Sequence, residues 1–520
     1  MAISNSVANF KMQVNEQFVK KAVALEPALY KTQCVPKRVV RLEKQRDWYV
    51  AESIDIAKIQ PPVLGKGDSV CFDFGRHMVG YLSFRITVVG SPADAPAHFR
   101  IKFGETCNEI GEETKEYRGD ISSSWLQEEF LHVDEVPSMV SMPRRYAFRY
   151  IEIKVLDTSP KYKIQIEEIR VTAVTSADYS KIDAPKIEDD FLRCMDEAGI
   201  RTLGECMQRV FEDGPKRDRR LWLGDLRLQA QVNYVTFKNY DLVKRCLYLF
   251  AGLTQNEGSV GANLFIAPRF QVDDTYLFDY ALFFVSTLYD YYCETKEQGL
   301  LEELWDTAYR QLEIAAKELD DNGVIVDKDT WWCFLDWKEG LNKQAGAQAI
   351  FIYVLKQAMY LAKELGKQEQ YSTLERYLKN ATEGAKKHLW DEERQFFVSG
   401  RERQVSWASQ VWFVLAGVFD REKNVELLRH LIKENPEMNM VTPYMYHHFV
   451  QALLETGLKK EALAYMDEYW GGMLREGADC YYELYDPQNP DFSPYGSKMI
   501  NSYCHAWSCT PSYFIRKYFC

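Results

Sequence analysis

The chain has 520 residues, a net charge of −12 and 46% hydrophobic residues. This length exceeds what one hydrophobic core supports and predicts two domains, while the acidic balance argues against a nucleic-acid partner, which needs a basic face. The sequence contains no apolar run of about 18 residues, no secretory start and no C-x-x-C pair. We therefore expect a cytoplasmic protein with reduced thiols, no membrane partner, no cofactor and no required metal.

The first third of the chain has the two-residue period of β-strands. Apolar and polar side chains alternate in four runs at 81–89, 98–105, 149–156 and 163–171. Turn residues such as Gly-Ser-Pro at 90–92 separate these runs. The pattern predicts an antiparallel β-sandwich over 46–185, with residues 1–45 packed on it as an N-terminal extension.

From residue 188 onwards, apolar side chains recur at helical spacing. Twelve helices are predicted at 188–212, 225–237, 241–255, 273–296, 298–319, 343–366, 369–389, 405–418, 421–434, 444–457, 459–475 and 500–518. Pro511 is expected to kink the last helix or to end it early. Long and short connections alternate, so that all long ones meet at one end of the bundle. Six helical hairpins in a ring predict a mainly α fold, an (α/α)6 barrel over 186–520 preceded by the β-sandwich.

The long connections and the helix starts after them are rich in acidic and aromatic residues. The residues that we single out there are Asp213, Asp218, Trp222, Asp225, Asp273, Asp274, Trp332, Asp336, Trp337, Tyr482, Glu483 and His505. Glycoside hydrolysis needs one carboxyl group as general acid and a carboxylate as base or nucleophile, and flat aromatic rings cover the apolar faces of a pyranose. This combination of residues predicts a sugar site at one end of the barrel.

Simpler interpretations of the same residues remain open. Asp225 and Asp273 stand at predicted helix starts, where a carboxylate also serves as a cap. A single tryptophan is more often a core residue than a sugar platform. If the helical part is only a scaffold, the acidic residues of the loops should face outwards and should not converge.

The stretch DGPKRDRRLWLGD (213–225) resembles the D-x-P-x-R-E-x-x-x-W-x-G-D signature of the glycoside hydrolase family 78 α-L-rhamnosidases. The matching residues are Asp213, Pro215, Arg217, Trp222, Gly224 and Asp225. Four further segments are similar to family segments: FDFGRHMVGYLSF (72–84), LDWKEG (335–340), GADCYYELYD (477–486) and NSYCHAWS (501–508). The resemblance thus covers most of the chain, from about residue 70 to residue 520.

This resemblance implies an (α/α)6 barrel with a β-sandwich and hydrolysis with inversion at the anomeric carbon. It places Asp218 at the position of the general acid and Glu483 at the position of the general base. The residues expected to contact the sugar are Asp213, Arg217, Trp222, Asp225, Asp273, Asp274, Trp332, Asp336, Trp337, Tyr482 and His505. The family usually has Glu where Asp218 stands, and Asp is shorter by one methylene group. Either the loop shifts to compensate, or Asp213 or Asp225 supplies the proton, or the protein binds sugar without cleaving it.

We therefore expect a glycosidase that removes terminal α-L-rhamnosyl or related residues from small glycosides. An unsaturated uronyl hydrolase is disfavoured, because a uronate needs a basic pocket and the residues at the barrel mouth are mainly acidic. A carbohydrate-binding relative without catalysis is the alternative from another class. A homodimer is compatible with the sequence, which does not fix the oligomeric state.

Overall fold

The computed structural model of the chain describes residues 10–45, 48–54, 62–489 and 492–520. Strands dominate up to Thr175 and helices dominate from Asp190 onwards. The predicted fold class, a β-sandwich followed by an (α/α)6 barrel, is confirmed. The predicted start of the sandwich at residue 46 lies outside the described residues. No described helix is long and apolar enough to cross a lipid bilayer.

The N-terminal domain is built on a large antiparallel sheet. The strands of the chain are β1 (Gln13–Val14), β2 (Tyr30–Cys34), β3 (Arg38–Gln45), β4 (Trp48–Ile54), β5 (Val63–Leu64), β6 (Ser69–Gly90), β7 (Ala97–Gly104), β8 (Glu128–Val133), β9 (Ser138–Ser141), β10 (Tyr146–Asp157), β11 (Tyr162–Thr175), β12 (Leu221–Trp222), β13 (Leu253–Thr254), β14 (Asn263–Phe265), β15 (Gln271–Val272), β16 (Trp390–Asp391) and β17 (Phe396–Phe397). The order β2-β11-β6-β10-β7-β8 forms the main path, and β3, β5 and β9 pair with β6 or β11 beside it. Alternate side chains of β6, β7, β10 and β11 form one hydrophobic core.

The strand β6 is long enough to take part in several pairings. Gly75 adopts a φ of +79°, and the register against β10 shifts between Phe148 and Tyr150. Such a bulge bends a strand and re-aims the side chains around it. The first half of β6 pairs with β3, and the second half pairs with β9 and β11. His77 lies at this bend, and its ring is completely buried.

The helices from α3 onwards form six antiparallel hairpins around a second core, whereas α1 and α2 precede the barrel. The helices of the described residues are α1 (Glu16–Ala24), α2 (Cys107–Gly111), α3 (Asp190–Cys206), α4 (Leu223–Val235), α5 (Tyr240–Gly252), α6 (Phe278–Thr295), α7 (Gln298–Ala316), α8 (Gln344–Glu364), α9 (Gln368–Gly384), α10 (Trp407–Ala416), α11 (Arg421–Glu434), α12 (Pro443–Thr456), α13 (Lys459–Met466), α14 (Gly472–Arg475) and α15 (Pro511–Tyr518). The inner ring is formed by α4, α6, α8, α10, α12 and α15. Each inner helix contacts the next inner helix in chain order, and the last one, α15, closes the ring by contacting α4. Helices α4 and α6 are buried almost all round, as inner helices must be, whereas the outer helices α9 and α11 expose a polar face.

The last predicted helix requires correction. We expected it over 500–518, with Pro511 as a kink or an early end. Instead Pro511 is the first residue of α15, where a missing N–H group costs nothing. Residues 501–510 are therefore mainly irregular, and this segment carries His505 into the barrel mouth.

The sandwich lies against the loops at the mouth of the barrel. Lys216 Nζ, in the loop before α4, forms a buried ion pair with Glu109 of α2 at 2.5 Å. The backbone N–H of Tyr503 donates to Glu105 Oε2, just after β7, at 2.7 Å. The sandwich therefore helps to position the two barrel loops that carry most of the predicted site residues.

Candidate active site

The loop 213–222 closes on itself. The backbone N–H of Asp213 donates to the Arg220 carbonyl, and the Arg220 N–H donates to Asp213 Oδ1, both at 3.0 Å. Between them Asp218 and Arg219 both adopt left-handed backbone conformations, with φ of 60° and 54°. Asp visits this region more readily than most residues, but two consecutive non-glycine residues there indicate stored backbone strain. Trp222 is then fixed by pairing of β12 with β14.

A cavity lies at this end of the barrel, and it holds about 410 Å³ including the part that opens to solvent. The residues that line it are Asp213, Arg217, Asp218, Trp222, Asp225, Leu277, Tyr280, Trp331, Phe334, Trp337, Glu483, Tyr495, His505 and Trp507. The predicted acidic residues of the first and last long loops thus converge, contrary to the scaffold interpretation.

Glu483 is held firmly on one wall of the cavity. Its carboxylate accepts hydrogen bonds from Tyr495 Oη at 2.9 Å and from the Arg217 guanidinium. Its own carbonyl accepts from Trp507 Nε1 at 2.9 Å. Burial would raise the pKa of Glu483, but Arg217 and the hydrogen bonds outweigh burial and lower the pKa below its usual value. Glu483 is therefore ionised at neutral pH.

Arg217 connects the two predicted catalytic carboxyl groups. Besides its bond to Glu483, its Nη1 lies 3.7 Å from Asp218 Oδ1. The guanidinium also stacks over the Tyr495 ring at 4.4 Å. Because one planar group reaches both carboxylates, their nearest oxygens are within about 9 Å of each other. This upper limit includes the spacing of about 6.5–9.5 Å in inverting glycosidases as well as that of about 5–5.5 Å in retaining ones.

Asp213 and Asp225 lie in the buried part of the site. Burial raises the pKa of both carboxyl groups well above the usual range, and Asp218 raises the pKa of both further. Asp225 Oδ1 and His505 Nδ1 are 3.8 Å apart, and neither has a hydrogen-bond partner among the described residues. Burial lowers the pKa of His505 to about 4, so its ring is neutral at pH 7. Unsatisfied buried polar atoms that face a cavity are suited to binding hydroxyl groups.

A continuous aromatic surface forms another part of the cavity lining. Phe334 contacts Tyr280 at 5.7 Å and Trp507 at 5.8 Å between ring centroids. Trp337 contacts Trp507 at 5.1 Å and Tyr495 at 6.0 Å. Most of these contacts are edge-on or tilted, which leaves ring faces and edges directed at the cavity. The site thus combines a carboxylate wall with an apolar aromatic wall.

Asp336 does not line the cavity, contrary to its predicted role in sugar binding. Its buried carboxylate accepts hydrogen bonds from the N–H groups of Trp337, Val441 and Thr442 and from Thr442 Oγ1, at 2.7–3.0 Å. These bonds satisfy the carboxylate and tie the loop before α8 to the start of α12. These bonds hold Asp336 outside the cavity lining and next to Trp337, which does line the cavity.

Four other predicted sugar contacts also lie away from the cavity lining, namely Asp273, Asp274, Trp332 and Tyr482. Asp273 Oδ2 accepts from Asn263 and Thr275 and stabilises the β14–β15 hairpin. Trp332 packs on Phe278 behind the aromatic wall. Asp273 is not a helix cap either, because α6 begins five residues later, and Asp225 lies in the first turn of α4 without capping it.

Sequence reasoning missed several lining residues. They are Leu277, Tyr280, Trp331, Phe334, Tyr495 and Trp507. Trp331 and Trp507 carry the same signal as their predicted neighbours, an aromatic residue in a long loop. Tyr280 is on the first turn of α6 and looks like any core residue of an inner helix. Only its place at the cavity end of that helix distinguishes it.

Comparison with known proteins identifies both parts of the chain. Residues 36–173 match the glycosyl hydrolase family 78 α-rhamnosidase N-terminal domain, and residues 186–519 match the bacterial α-L-rhamnosidase six-hairpin glycosidase domain. A comparison with curated protein sequences finds no match.

Solved structures of rhamnosidases resemble the chain along most of its length. The chain is 48% identical to a rhamnosidase from Klebsiella oxytoca with rhamnose bound, with a TM-score of 0.96 over 98% of this chain and 100% of that one. A family 78 rhamnosidase of Bacillus sp. GL1 is 20% identical, with a TM-score of 0.75 over 90% of this chain and 49% of that one. A Streptomyces avermitilis α-L-rhamnosidase complexed with L-rhamnose is 16% identical, with a TM-score of 0.66 over 94% of this chain and 44% of that one. The chain belongs to glycosyl hydrolase family 78, the α-rhamnosidases with a six-hairpin glycosidase domain.

Proposed function

We propose that this family 78 glycosidase hydrolyses terminal α-L-rhamnosyl residues of small glycosides with inversion at the anomeric carbon. The observation that carries the proposal is the convergence of Asp218 and the ionised Glu483 on one cavity with an aromatic wall. The relative from Klebsiella oxytoca, which has rhamnose bound, supports the choice of sugar.

Glu483 is the proposed general base. A base must be deprotonated before it takes a proton from water, and the lowered pKa of Glu483 meets this requirement. Its Oε2 is engaged by Arg217, and its Oε1 accepts from Tyr495 and lies 3.9 Å from His505 Nε2. These contacts fix the carboxylate so that one oxygen can orient an attacking water molecule.

Asp218 is the proposed general acid. Its carboxyl group is 25% exposed at the cavity edge, where a leaving alcohol would depart. The left-handed backbone at Asp218 and Arg219 gives the loop a shape that a regular turn would not have. We infer that this local shift compensates for the methylene group that Asp lacks relative to the usual Glu.

The other cavity residues are proposed to bind the sugar. Asp213 and Asp225, with raised pKa values, can donate as well as accept hydrogen bonds to hydroxyl groups. The neutral His505 offers an unpaired ring nitrogen between Asp225 and Glu483. Trp222 and Trp337 offer apolar surface. A uronate would lack a cation here, because Arg217, the one guanidinium of the described lining, is engaged by Glu483.

The test compares two substrates that differ in leaving group, 4-nitrophenyl α-L-rhamnoside and an alkyl α-L-rhamnoside. Replacing the acid in Asp218→Asn should lower kcat far more for the alkyl glycoside, because nitrophenolate leaves without protonation. Glu483→Gln should lower kcat for both substrates by on the order of a thousandfold. Proton NMR of the first product formed should show the β-anomer of rhamnose.

The control is Glu468→Gln, an exposed carboxylate on the segment before the last long loop, which should leave both rates unchanged. If both Asp218→Asn and Glu483→Gln retain wild-type rates, the assignment is wrong. Binding of rhamnose by the wild-type protein without turnover of either substrate would favour the non-catalytic alternative. A larger effect of Asp225→Asn than of Asp218→Asn on the alkyl substrate would transfer the acid role to Asp225.

We also propose a cytoplasmic location. The twelve cysteines all fall within the described residues and none forms a disulfide. Eight of them are buried. Unpaired buried thiols are typical of reducing compartments.

A further inference from the structure

Behind the active site, three side chains from distant parts of the sequence meet in the core. His77 comes from the bend of β6, Cys480 from the loop after α14 and Cys504 from the segment before α15. One ring nitrogen of His77 and the two sulfur atoms lie within 4.8 Å of one another, and each side chain is at most 1% exposed. Cys206, the last residue of α3, is fully buried beside Cys504 and packs with both cysteines, but its sulfur atom is not within 4.8 Å of all three of these ligand atoms.

The imidazole ring of His77 is oriented by a carboxylate. Its Nε2 lies 3.0 Å from Glu105 Oε1, and both groups are buried. Its Nδ1 has no hydrogen-bond partner of regular geometry among the described residues, although the Cys480 thiol lies beside the ring. In the neutral ring that a metal ligand requires, a carboxylate on one ring nitrogen fixes the tautomer in which the other nitrogen carries a lone pair. This carboxylate–histidine arrangement accompanies most histidine ligands of zinc.

The thiols lack strong alternative partners. Cys504 and Cys206 contact the carbonyls of Thr202 and Asp213, at 3.9 and 3.7 Å, and the thiols also contact one another; all such S–H contacts are weak.

We propose that His77, Cys480 and Cys504 form a structural site for a thiophilic divalent cation, with Zn²⁺ as the preferred metal, and that the neighbouring Cys206 moves in to complete a tetrahedron when the metal binds. Three thiolates and one imidazole are a frequent ligand set of structural zinc, and sulfur ligands select it over Mg²⁺ or Ca²⁺. The spacing of the ligands along the chain contains no metal motif, which is why the sequence predicted none. Only the fold brings them together.

The position of the site suggests what the metal would do. Cys504 directly precedes His505, and Cys480 is three residues before Glu483. Cys206 Sγ contacts the carbonyl of Asp213. A metal at this point would join the sandwich to three barrel segments that carry proposed catalytic or sugar-binding groups. Its contribution would be to folding and positioning, not to bond cleavage.

The test uses the full-length protein, reduced and freed of metal with a chelator, and titrates it with Co²⁺ as a spectroscopic probe. We expect saturation near one equivalent, with the sulfur-to-metal charge-transfer band of a thiolate-rich site and the d–d bands of tetrahedral geometry. One equivalent of Zn²⁺ should displace the Co²⁺ and remove these bands. Protein purified with zinc in the medium should contain about one zinc per chain by mass spectrometry.

Variants assign the ligands. Cys480→Ser and Cys504→Ser should each lose the charge-transfer band, whereas Cys246→Ser, in the buried core of α5, should retain it. Glu105→Gln keeps all four ligands and should weaken Zn²⁺ binding by about 10–100-fold. If the serine variants do not fold, the wild-type Co²⁺ spectrum still decides, because the band intensity reports how many thiolates bind.

Three outcomes would overturn the proposal. Metal-free wild-type protein could fail to develop a charge-transfer band with Co²⁺. The band could survive in both serine variants. The purified chain could carry a disulfide between two of these cysteines, seen as an intact mass lower by two hydrogens, in which case the cluster would be a redox pair and not a metal site.

Discussion

Arg217 controls the charge of the proposed base. It is the largest favourable influence on the ionised form of Glu483, and burial alone would raise the pKa of this carboxyl group. Replacing Arg217 by Gln should therefore raise the pKa of Glu483. The acidic limb of the pH profile of kcat/KM should therefore move to higher pH, measured with the 4-nitrophenyl glycoside.

Two variants separate charge from packing in this experiment. Arg217→Lys retains a cation and should shift the acidic limb less than Arg217→Gln does. Arg220→Gln removes a guanidinium that stacks on Phe265 in the same loop and should leave the limb in place. An acidic limb that does not move in Arg217→Gln would show that Glu483 is not the group that titrates.

His505 makes folding stability depend on pH. Its folded-state pKa is about 4, below the ordinary value of 6.5, so the unfolded chain binds the proton more tightly. The neutral ring thus contributes stability that is fully present above pH 6.5 and is lost as the pH falls from 6.5 to 4. The shift corresponds to about 3 kcal/mol. Between pH 7 and pH 4, Tm should fall less in His505→Asn than in the wild type.

The control for this measurement is His388→Asn, which removes an exposed histidine on the outer ring. Its loss of Tm on acidification should equal that of the wild type, because other buried groups titrate in both proteins. If His505→Asn also matches the wild type, the ring does not remain neutral in the folded protein.

At the scale of elements, the loop before α8 depends on its anchor at the start of α12. Asp336→Ala leaves the N–H groups of Val441 and Thr442 without their acceptor inside the protein. Unfolding free energy should drop by roughly 3 kcal/mol, and Trp337 should lose its fixed position. KM should rise more than kcat falls, since the variant disturbs a sugar-binding surface and not the proton transfers. Asp329→Ala, an exposed change in the same loop, should alter neither Tm nor KM.

The elements themselves were largely predictable, because helical and strand periods are local. The predicted helix 421–434 agrees with α11, and most other helices agree to within a few residues. What failed were properties set by tertiary contacts. Asp336 and Asp273 look like site acids in the sequence, yet backbone N–H groups and neighbouring side chains use their carboxylates. The motif 213–225 was informative about the site because most of its residues lie in one closed loop. Local hydrogen bonds of that loop keep them close together in space.

At the scale of the whole molecule, a buried ion pair connects the two halves. Lys216 Nζ contacts Glu109 and the carbonyls of Met499 and Asn501, and it is 1% exposed. Lys216→Met leaves Glu109 buried without its cation and should cost about 3–5 kcal/mol. Activity should decline with stability, because the same lysine holds the last long loop near Glu483.

A double-mutant cycle tests this coupling. Lys216→Met combined with Glu109→Leu removes both charges, so the double variant should be more stable than Lys216→Met alone. Unfolding followed by tryptophan fluorescence provides the free energies. Strictly additive losses would mean that the pair does not act as a unit.

The contacts between the sandwich and the barrel also determine at which stage of synthesis the enzyme can become active. The N–H of His77 bonds Asp479, 402 residues further along, and Glu105 accepts from Tyr503 across 398 residues. During synthesis the sandwich leaves the ribosome first. Its polar groups that bond the barrel then have no hydrogen-bond partners until the C-terminal segment is made. The pocket is completed only when residues 479–507 arrive. Nascent or proteolytically nicked chains that lack this segment can therefore be folded in part but cannot be active.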